Sequence, residues 1–210
     1  MKTLGCFLVL VFIMAAVPAY ADSDLTLFGA AQHQGKLSLQ TATSTATTTS
    51  NLDPSTFGVF GVRYGHGKII GGEHTLAYAP NFLVTTGRAI IYNSNLRIQA
   101  DLPKVKPYAT AGLGAIFTWS KNTTPSSVTT TAGAFGALAD IGTRFAINYG
   151  GGVKIMPAGP VGVGFDIRGY TLPSVSFNVP GSIAGQTIKT INQNVNFIEF
   201  GFGVVFQFGK

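Results

Sequence analysis

The stretch Asn196-Phe-Ile-Glu-Phe-Gly-Phe-Gly-Val-Val-Phe-Gln-Phe208 decides the fold. Every second position from Ile198 to Phe208 is apolar. The positions between them, every second one from Phe197 to Gln207, are small, polar or mixed. Successive side chains of a strand point to opposite faces, so the pattern predicts a strand with one wholly apolar face. A soluble sheet shows a similar alternation. Aromatic residues on one side and glycines on the other favour a narrow transmembrane barrel with its apolar face in lipid.

The composition of the chain agrees with membrane strands rather than membrane helices. Of the 210 residues, 46% are hydrophobic and only 10% are charged, against about 25% charged residues in ordinary domains. Apart from the first residues there is no long apolar run, so the hydrophobicity is spread over short segments. No cluster of Lys and Arg indicates a nucleic-acid partner.

The first residues have the features of an exported protein. Lys2 is followed by an apolar run over residues 7–17 and by the small-residue cleavage box Ala19-Tyr-Ala21. This arrangement predicts a signal peptide over residues 1–21 and a single barrel domain over residues 22–210. The alternative is an uncleaved membrane anchor. Cys6 is the only cysteine and leaves with the leader, so we expect neither disulfides nor thiolate chemistry.

The rest of the chain is predicted to hold seven more strands, which makes an all-β, antiparallel, up-and-down transmembrane barrel of about eight strands. The strands are predicted near residues 24–31, 56–64, 69–79, 89–100, 108–119, 143–155, 161–171 and 196–208. Short connections are predicted at 65–68, 101–107 and 156–160, and long ones at 38–54, 80–87, 120–140 and 173–193. The regular alternation of short and long connections is typical of outer-membrane barrels. The Thr-rich tract 41–50 is predicted to be part of a mobile external loop. Because threonine is a good strand former, the flanking strands can extend into this tract.

Several segments resemble a known family. They are the leader, Phe57-Gly-Val-Phe-Gly-Val-Arg-Tyr64, Pro103-Lys-Val-Lys-Pro-Tyr-Ala-Thr-Ala-Gly-Leu-Gly114, Val163-Gly-Phe-Asp-Ile-Arg-Gly-Tyr170 and the aromatic last strand. They are similar to the small outer-membrane β-barrel family typified by the OmpA membrane domain and OmpX. The resemblance implies a cell outer membrane location, outer-membrane lipid and lipopolysaccharide as surroundings, and insertion by the outer-membrane machinery. Gly209-Lys210 depart from the terminal aromatic residue that this machinery reads. The barrel is expected to be a monomer.

Seven charged residues fall on the inward parity of the predicted strands. An Arg or Lys near the bilayer midplane costs about 2–4 kcal/mol when it faces lipid, so these residues are expected to pair across the lumen. About eight strands leave an interior just wide enough for side chains. We interpret the set as a structural network that fills the barrel, with a gate on an ion path as the alternative. The residues are Glu73, Arg97, Arg144, Lys154, Asp166, Arg168 and Glu199.

The three histidines do not form a recognisable catalytic pattern. His66 falls in a predicted turn and His74 on the lipid-facing parity, and neither has a serine at strand spacing; His33 lies near the first external loop. No motif for a metal, phosphate or hydrolase site occurs, so we predict no catalytic residue, cofactor or metal. The predicted role is structural or surface-interacting. The alternatives are a narrow porin or OmpW-like channel for small solutes or apolar molecules, and a barrel enzyme that modifies lipid A.

Overall fold

The computed structural model describes residues 22–35, 37–42, 47–52, 55–82, 87–120, 142–177, 182–183, 186–188 and 191–209. The regular elements within these ranges are β-strands, and no helix in them is long and apolar enough to cross a membrane. The predicted signal peptide and nearly all of the predicted loop 120–140 lie outside them. The strands are β1 (Ser23–Gln34), β2 (Leu37–Ala42), β3 (Thr47–Leu52), β4 (Thr56–His66), β5 (Ile70–Ala79), β6 (Gly87–Gln99), β7 (Val105–Ser120), β8 (Thr143–Ala158), β9 (Val161–Phe177), β10 (Ser182–Ile183), β11 (Gln186–Ile188) and β12 (Ile191–Phe208).

Eight of these strands form a closed antiparallel barrel in the order β1-β12-β9-β8-β7-β6-β5-β4. Each barrel strand pairs with the previous and the next barrel strand along the chain, and β1 closes the wall by pairing with β12. The predicted up-and-down barrel of eight strands is therefore confirmed. Closure leaves no unpaired edge in the wall, which satisfies the backbone hydrogen bonds that lipid cannot.

The stagger of the strands sets their tilt. A row of cross-strand neighbours that starts at Phe206 on β12 returns to the same strand at Asn196, ten residues away. A closed eight-stranded wall with this stagger has strands tilted by roughly 40° to the barrel axis. Each residue therefore advances about 2.5 Å along the axis, from a rise of about 3.3 Å along the strand. The row runs through Phe206, Leu25, Tyr64, His74, Ser94, Leu113, Ile147, Thr171 and Asn196.

The two ends of the barrel differ in the length of their connections. At one end, β4–β5, β6–β7 and β8–β9 are joined by residues 67–69, 100–104 and 159–160. Two of these turns contain a glycine with positive φ, Gly67 (92°) and Gly159 (74°), a conformation that L side chains rarely adopt. The other end carries the long connections. Outer-membrane barrels have short periplasmic turns and long external loops, so this end is the external one.

The alternation predicted for the last strand is confirmed by side-chain exposure. Phe200 and Phe202 are 54% and 51% exposed on the outer face of β12, whereas Phe197 and Glu199 are 2% and 1% exposed on its inner face. Large apolar side chains cover the outer face of the other barrel strands as well. The outside of the barrel is therefore apolar and the inside is a packed, polar and apolar core.

Beyond the external rim, four short strands form a second sheet in the order β10-β11-β2-β3. The backbone of β2 pairs with β3 over the whole of both strands, and β11 pairs with β2 at Thr187–Ala42 and Ile188–Thr41. The flanking strands thus extend into the Thr-rich tract from both sides, and residues 43–46 lie outside the described ranges. Threonine has a high preference for strands, and the second hairpin at the same end provides a partner. His66, predicted in a turn, is the last residue of β4.

Glycine at position 150 is required by close contact with the neighbouring strand. A Cβ at Gly150 would lie 2.2 Å from the carbonyl oxygen of Ile167 and 2.8 Å from Cα of Arg168, whereas a Cβ at Gly29 meets nothing within 4 Å. We expect Gly150→Ala to destabilise the barrel by about 1–3 kcal/mol, as overpacking does. Gly29→Ala, its control, is expected to change stability by less than about 0.5 kcal/mol. Urea unfolding of the refolded barrels measures both, and equal midpoints would contradict the expectation.

Candidate functional site in the barrel interior

Arg168 lies at the centre of the interior and joins opposite sides of the wall. Its Nη1 is 2.7 Å from Oε1 of Glu73 on β5, and its Nε donates to Oδ1 of Asp166 at 3.2 Å. The contact with Glu73 is an ion pair without hydrogen-bond geometry, because Nη1 has no aligned acceptor. Arg168 is fully buried. In the order of the wall, β9 and β5 are directly opposite each other.

Arg63 binds two further carboxylates in the same layer. Its Nη1 donates to Oδ2 of Asp166 at 2.5 Å, and its Nη2 donates to Oε1 of Glu199 at 2.6 Å. Nε2 of Gln32 donates to the other oxygen of Glu199 at 2.6 Å. The guanidinium also lies over the ring of Phe28, 3.6 Å from its centroid. Asp166 therefore links Arg63 to Arg168 in one continuous chain of contacts.

A second cluster lies nearer the periplasmic end and centres on Asp24. Its two carboxylate oxygens accept hydrogen bonds from Arg97 Nη1 at 2.7 Å and from Lys154 Nζ at 2.6 Å. All three side chains are nearly or fully buried. The two clusters together hold four cations and four anions, so their charges balance. We call this set the interior ion-pair network: Asp24, Arg63, Glu73, Arg97, Lys154, Asp166, Arg168 and Glu199.

Six of the seven charged residues expected inside belong to this network, and Arg144 stands apart. It lies near the external end of β8 and pairs in register with Ile116. Arg144 forms no ion pair with any residue in the described ranges, and its Nε is buried without a hydrogen-bond partner. The network thus occupies the middle and periplasmic parts of the lumen.

Apolar side chains close the lumen above the network. Phe197 stacks on Tyr170 with centroids 4.8 Å apart, and Phe82 meets the edges of Phe57 and Phe197 at 5.4 and 5.9 Å. Leu172 and Val195 are fully buried beside them. Phe82 lies just after β5, in the predicted second loop, and its N–H donates to the carbonyl of Gly87. We call these residues the outer cap: Phe57, Phe82, Tyr170, Leu172, Val195 and Phe197.

The periplasmic end of the lumen is more open. A pocket of about 360 Å³ lies between the β6–β7 and β8–β9 turns. Buried Lys106 and Met156 line it from the inner face, together with Gln207 of β12. Lys106 and Lys68 both pair with Asp101 at the rim, and their hydrogen bonds lower the pKa of Asp101 below its usual value.

The histidines lie on the outer surface of the barrel. His74 stacks between His66 and Tyr92, with centroids 6.1 and 6.4 Å away, and its Nδ1 is 3.3 Å from the hydroxyl of Tyr92. The sequence gives neither His66 nor His74 a serine at strand spacing, but the fold places Ser23 and Ser94 opposite them in register on the neighbouring strands. No acidic side chain shares this face in the described strands, since Glu73 points inward. At the external end, His33 Nδ1 contacts Thr56 Oγ1 at 2.9 Å.

Arg63, Asp24 and Phe82 are among the interior residues that were not identified from the sequence. Arg63 is detectable by the same parity rule, because it alternates with outward-facing Val62 and Tyr64. Asp24 was missed because both parities of β1 are mixed, so the sequence alone does not orient that strand. Phe82 was missed because it follows a strand, where alternation no longer indicates direction.

Comparisons with known proteins agree with this architecture. No curated protein matches the sequence. Neisserial surface protein A superposes with a TM-score of 0.55 at 14% identity over 88% of this chain and 97% of its own. OprG from Pseudomonas aeruginosa superposes with a TM-score of 0.57 at 11% identity over 91% of this chain and 98% of its own. At these identities, the likeness concerns the fold alone.

The sequence itself carries the family relationship. The family described as "Outer membrane protein beta-barrel domain" matches residues 7–208, which is nearly the whole chain. The match agrees with the closed wall of eight strands, the apolar outer face and the sorted short and long connections. The chain therefore belongs to the outer membrane protein beta-barrel domain family and is a protein of the outer membrane.

Proposed function

We propose that the protein is a closed, non-conducting and non-enzymatic barrel that holds the strand-rich external segments at the cell surface. The closed lumen is the observation that carries the proposal. The outer cap blocks the external end with buried aromatic rings. Below it, the interior ion-pair network crosses the lumen from β9 to β5 and from β4 to β9. A solute would have to displace both layers.

The external sheet supports a role in surface interaction. Strands β2, β3, β10 and β11 lie beyond the rim and are not part of the barrel wall. β3 reads Thr-Thr-Thr-Ser-Asn-Leu, without charge, and has only β2 as its backbone partner in the described ranges. External segments on a rigid scaffold are common binding sites. The proposed partners are outer-membrane lipid, lipopolysaccharide and other surface molecules, and the barrel is proposed to act as a monomer.

The histidines support the non-enzymatic part of this proposal. Hydrolysis by a serine–histidine pair needs an acid that orients the imidazole. Glu73 is the acidic residue next to His74 in the sequence, and it is bound to Arg168 on the other face of β5. We propose that His66, His74, Tyr64 and Tyr92 instead stack as a structural stripe on the outside of the wall.

A narrow pore is the second candidate, and one observation favours it. Several buried polar atoms of the lumen have no partner among the described protein atoms, including Nη2 of Arg168 and Nε of Arg63 and Arg97. Water is the usual partner of such groups. A hydrated path from the periplasmic pocket through the network would then end at the outer cap, which would have to act as a gate.

Planar-bilayer conductance of the refolded protein separates the two candidates. We expect a barrel that shows heat-modifiable migration and no discrete openings, because two layers close the lumen. We also expect the double variant Phe82→Ala/Phe197→Ala to stay silent, because the network still crosses the lumen. Openings in the wild type, or openings that appear when the cap is truncated and change with Arg97→Gln, would establish the pore instead.

A further inference from the structure

Arg88 is the one charged residue on the lipid-facing side of the described barrel strands. Its neighbours Ala89 and Ile91 are buried inside, and Ile90 is exposed outside, so Arg88 shares the outer face with Ile90. The other Arg and Lys residues of the described barrel strands are Arg63, Arg97, Lys106, Arg144, Lys154 and Arg168, which all lie on the inner parity.

The position of Arg88 along the barrel axis places it at the outer edge of the membrane. Ile98 is exposed at the periplasmic end of the same strand. Arg88 is ten residues before Ile98 on β6, which corresponds to about 25 Å along the axis toward the external end. The apolar band of an outer-membrane barrel is also about 25 Å tall. The guanidinium therefore lies where the acyl chains end and the headgroups of the outer leaflet begin.

Aromatic residues flank Arg88 at this level. Trp119 stands directly opposite it in the β6–β7 register, and the ring of Trp119 lies 6.3 Å from that of Tyr78. Tryptophan and tyrosine at such a height form the girdle that anchors a barrel among headgroups. Arg88 is half-buried, its Nε has no hydrogen-bond partner, and no carboxylate pairs with it in the described ranges.

We propose that Arg88, with Trp119 and Tyr78 beside it, binds the phosphate of a phosphorylated glycolipid of the lipid A type in the outer leaflet. Guanidinium–phosphate hydrogen bonds are charge-assisted and strong. A cation at the membrane edge without a protein counter-ion is best neutralised by an anionic headgroup. The external orientation of this end of the barrel selects the glycolipid leaflet. The inference rests on that orientation and not on the closed lumen, so it stands or falls separately from the conductance result.

The chain contains its own reporter for the test. Trp119 is the only tryptophan, and it faces Arg88, so its fluorescence reports binding at this site. Refolded protein in micelles is titrated with bisphosphorylated lipid A, dephosphorylated lipid A, phosphatidylglycerol and inorganic phosphate. The variants are Arg88→Gln and Arg88→Lys, and Lys104→Gln removes a cation from the exposed periplasmic turn as a matched control.

We expect bisphosphorylated lipid A to bind the wild type and Lys104→Gln equally, and Arg88→Gln to bind it roughly tenfold more weakly. Arg88→Lys keeps the charge, so its affinity for bisphosphorylated lipid A is expected to lie between those of the wild type and Arg88→Gln. Dephosphorylated lipid A is expected to bind weakly throughout. This comparison needs only the wild type, so the proposal remains testable if a variant fails to fold. Equal binding of the two forms of lipid A would overturn the proposal, as would equal affinity of wild type and Arg88→Gln. Phosphatidylglycerol or inorganic phosphate binding as tightly as lipid A would overturn the assignment to a glycolipid.

Discussion

Arg168→Met is expected to destabilise the barrel by about 3–5 kcal/mol, because it leaves the buried carboxylate of Glu73 without a cation and removes one of the two cations bound to Asp166. Glu73 and Asp166 both lose their contact with the guanidinium, and Glu73 has no other ion pair in the described ranges. Methionine keeps most of the volume, so the loss is electrostatic rather than a cavity. Urea unfolding in lipid vesicles measures the change in the free energy of unfolding, with the loss of heat-modifiable migration on a gel as the readout.

Two further variants make this result specific. Lys68→Met breaks the ion pair between Lys68 and Asp101, which is similar in length to the contact between Arg168 and Asp166. The Lys68 side chain is 66% exposed, so we expect the free energy of unfolding to fall by less than about 1 kcal/mol. Arg168→Met combined with Glu73→Gln removes one cation and its paired anion together and is expected to recover part of the lost stability. If Arg168→Met were as mild as Lys68→Met, the network would contribute little and the interior would behave as a solvated channel.

Phe197→Ala is expected to cost about 3–5 kcal/mol, because it leaves a cavity in the outer cap. Phe197 contacts Phe57, Phe82 and Tyr170 within 6.5 Å between ring centroids. These neighbours belong to three different segments of the closed wall and its rim, so they cannot all move into the space. The same unfolding measurement in lipid vesicles gives the change in free energy.

Phe202→Ala is the matched control on the same strand. Phe202 faces lipid and is 51% exposed, and acyl chains fill the space that its ring leaves. We expect a clearly smaller loss than for Phe197→Ala. If the lipid-facing substitution cost as much or more, the outer cap would be loosely packed, and its role as a closure of the lumen would have to be abandoned.

Alternation alone predicts most of the wall. A period of two residues determines which side of a strand faces inward, and that rule places Glu73, Arg97, Lys154, Asp166, Arg168 and Glu199 inside. The rule fails where alternation is weak or absent, as at Asp24 on a mixed strand and at Phe82 beyond a strand end. It also does not tell which charges meet. The pair Arg168–Glu73 depends on the ten-residue stagger that brings β9 and β5 to the same height, and a single sequence does not contain that stagger.

The external sheet shows a second kind of limit. Low complexity in the Thr-rich tract indicates little capacity to bury apolar surface, and that inference says nothing of backbone pairing. β2 and β3 are paired through their main chains, and threonine tolerates such pairing well. A polar tract can therefore form strands when neighbouring segments supply main-chain hydrogen bonds.

The interior ion pairs join strands that are distant along the chain. Arg63 needs partners on β9 and β12, Arg97 and Lys154 need one on β1, and Arg168 needs one on β5. Because these strands are distant along the chain, a hairpin that enters the bilayer early exposes unneutralised charge to acyl chains. The charges are fully paired only when β1 supplies Asp24 and β12 supplies Glu199. The same groups that fill the finished barrel therefore penalise incomplete intermediates, and a truncated or misregistered chain is kept out of the membrane by its own side chains.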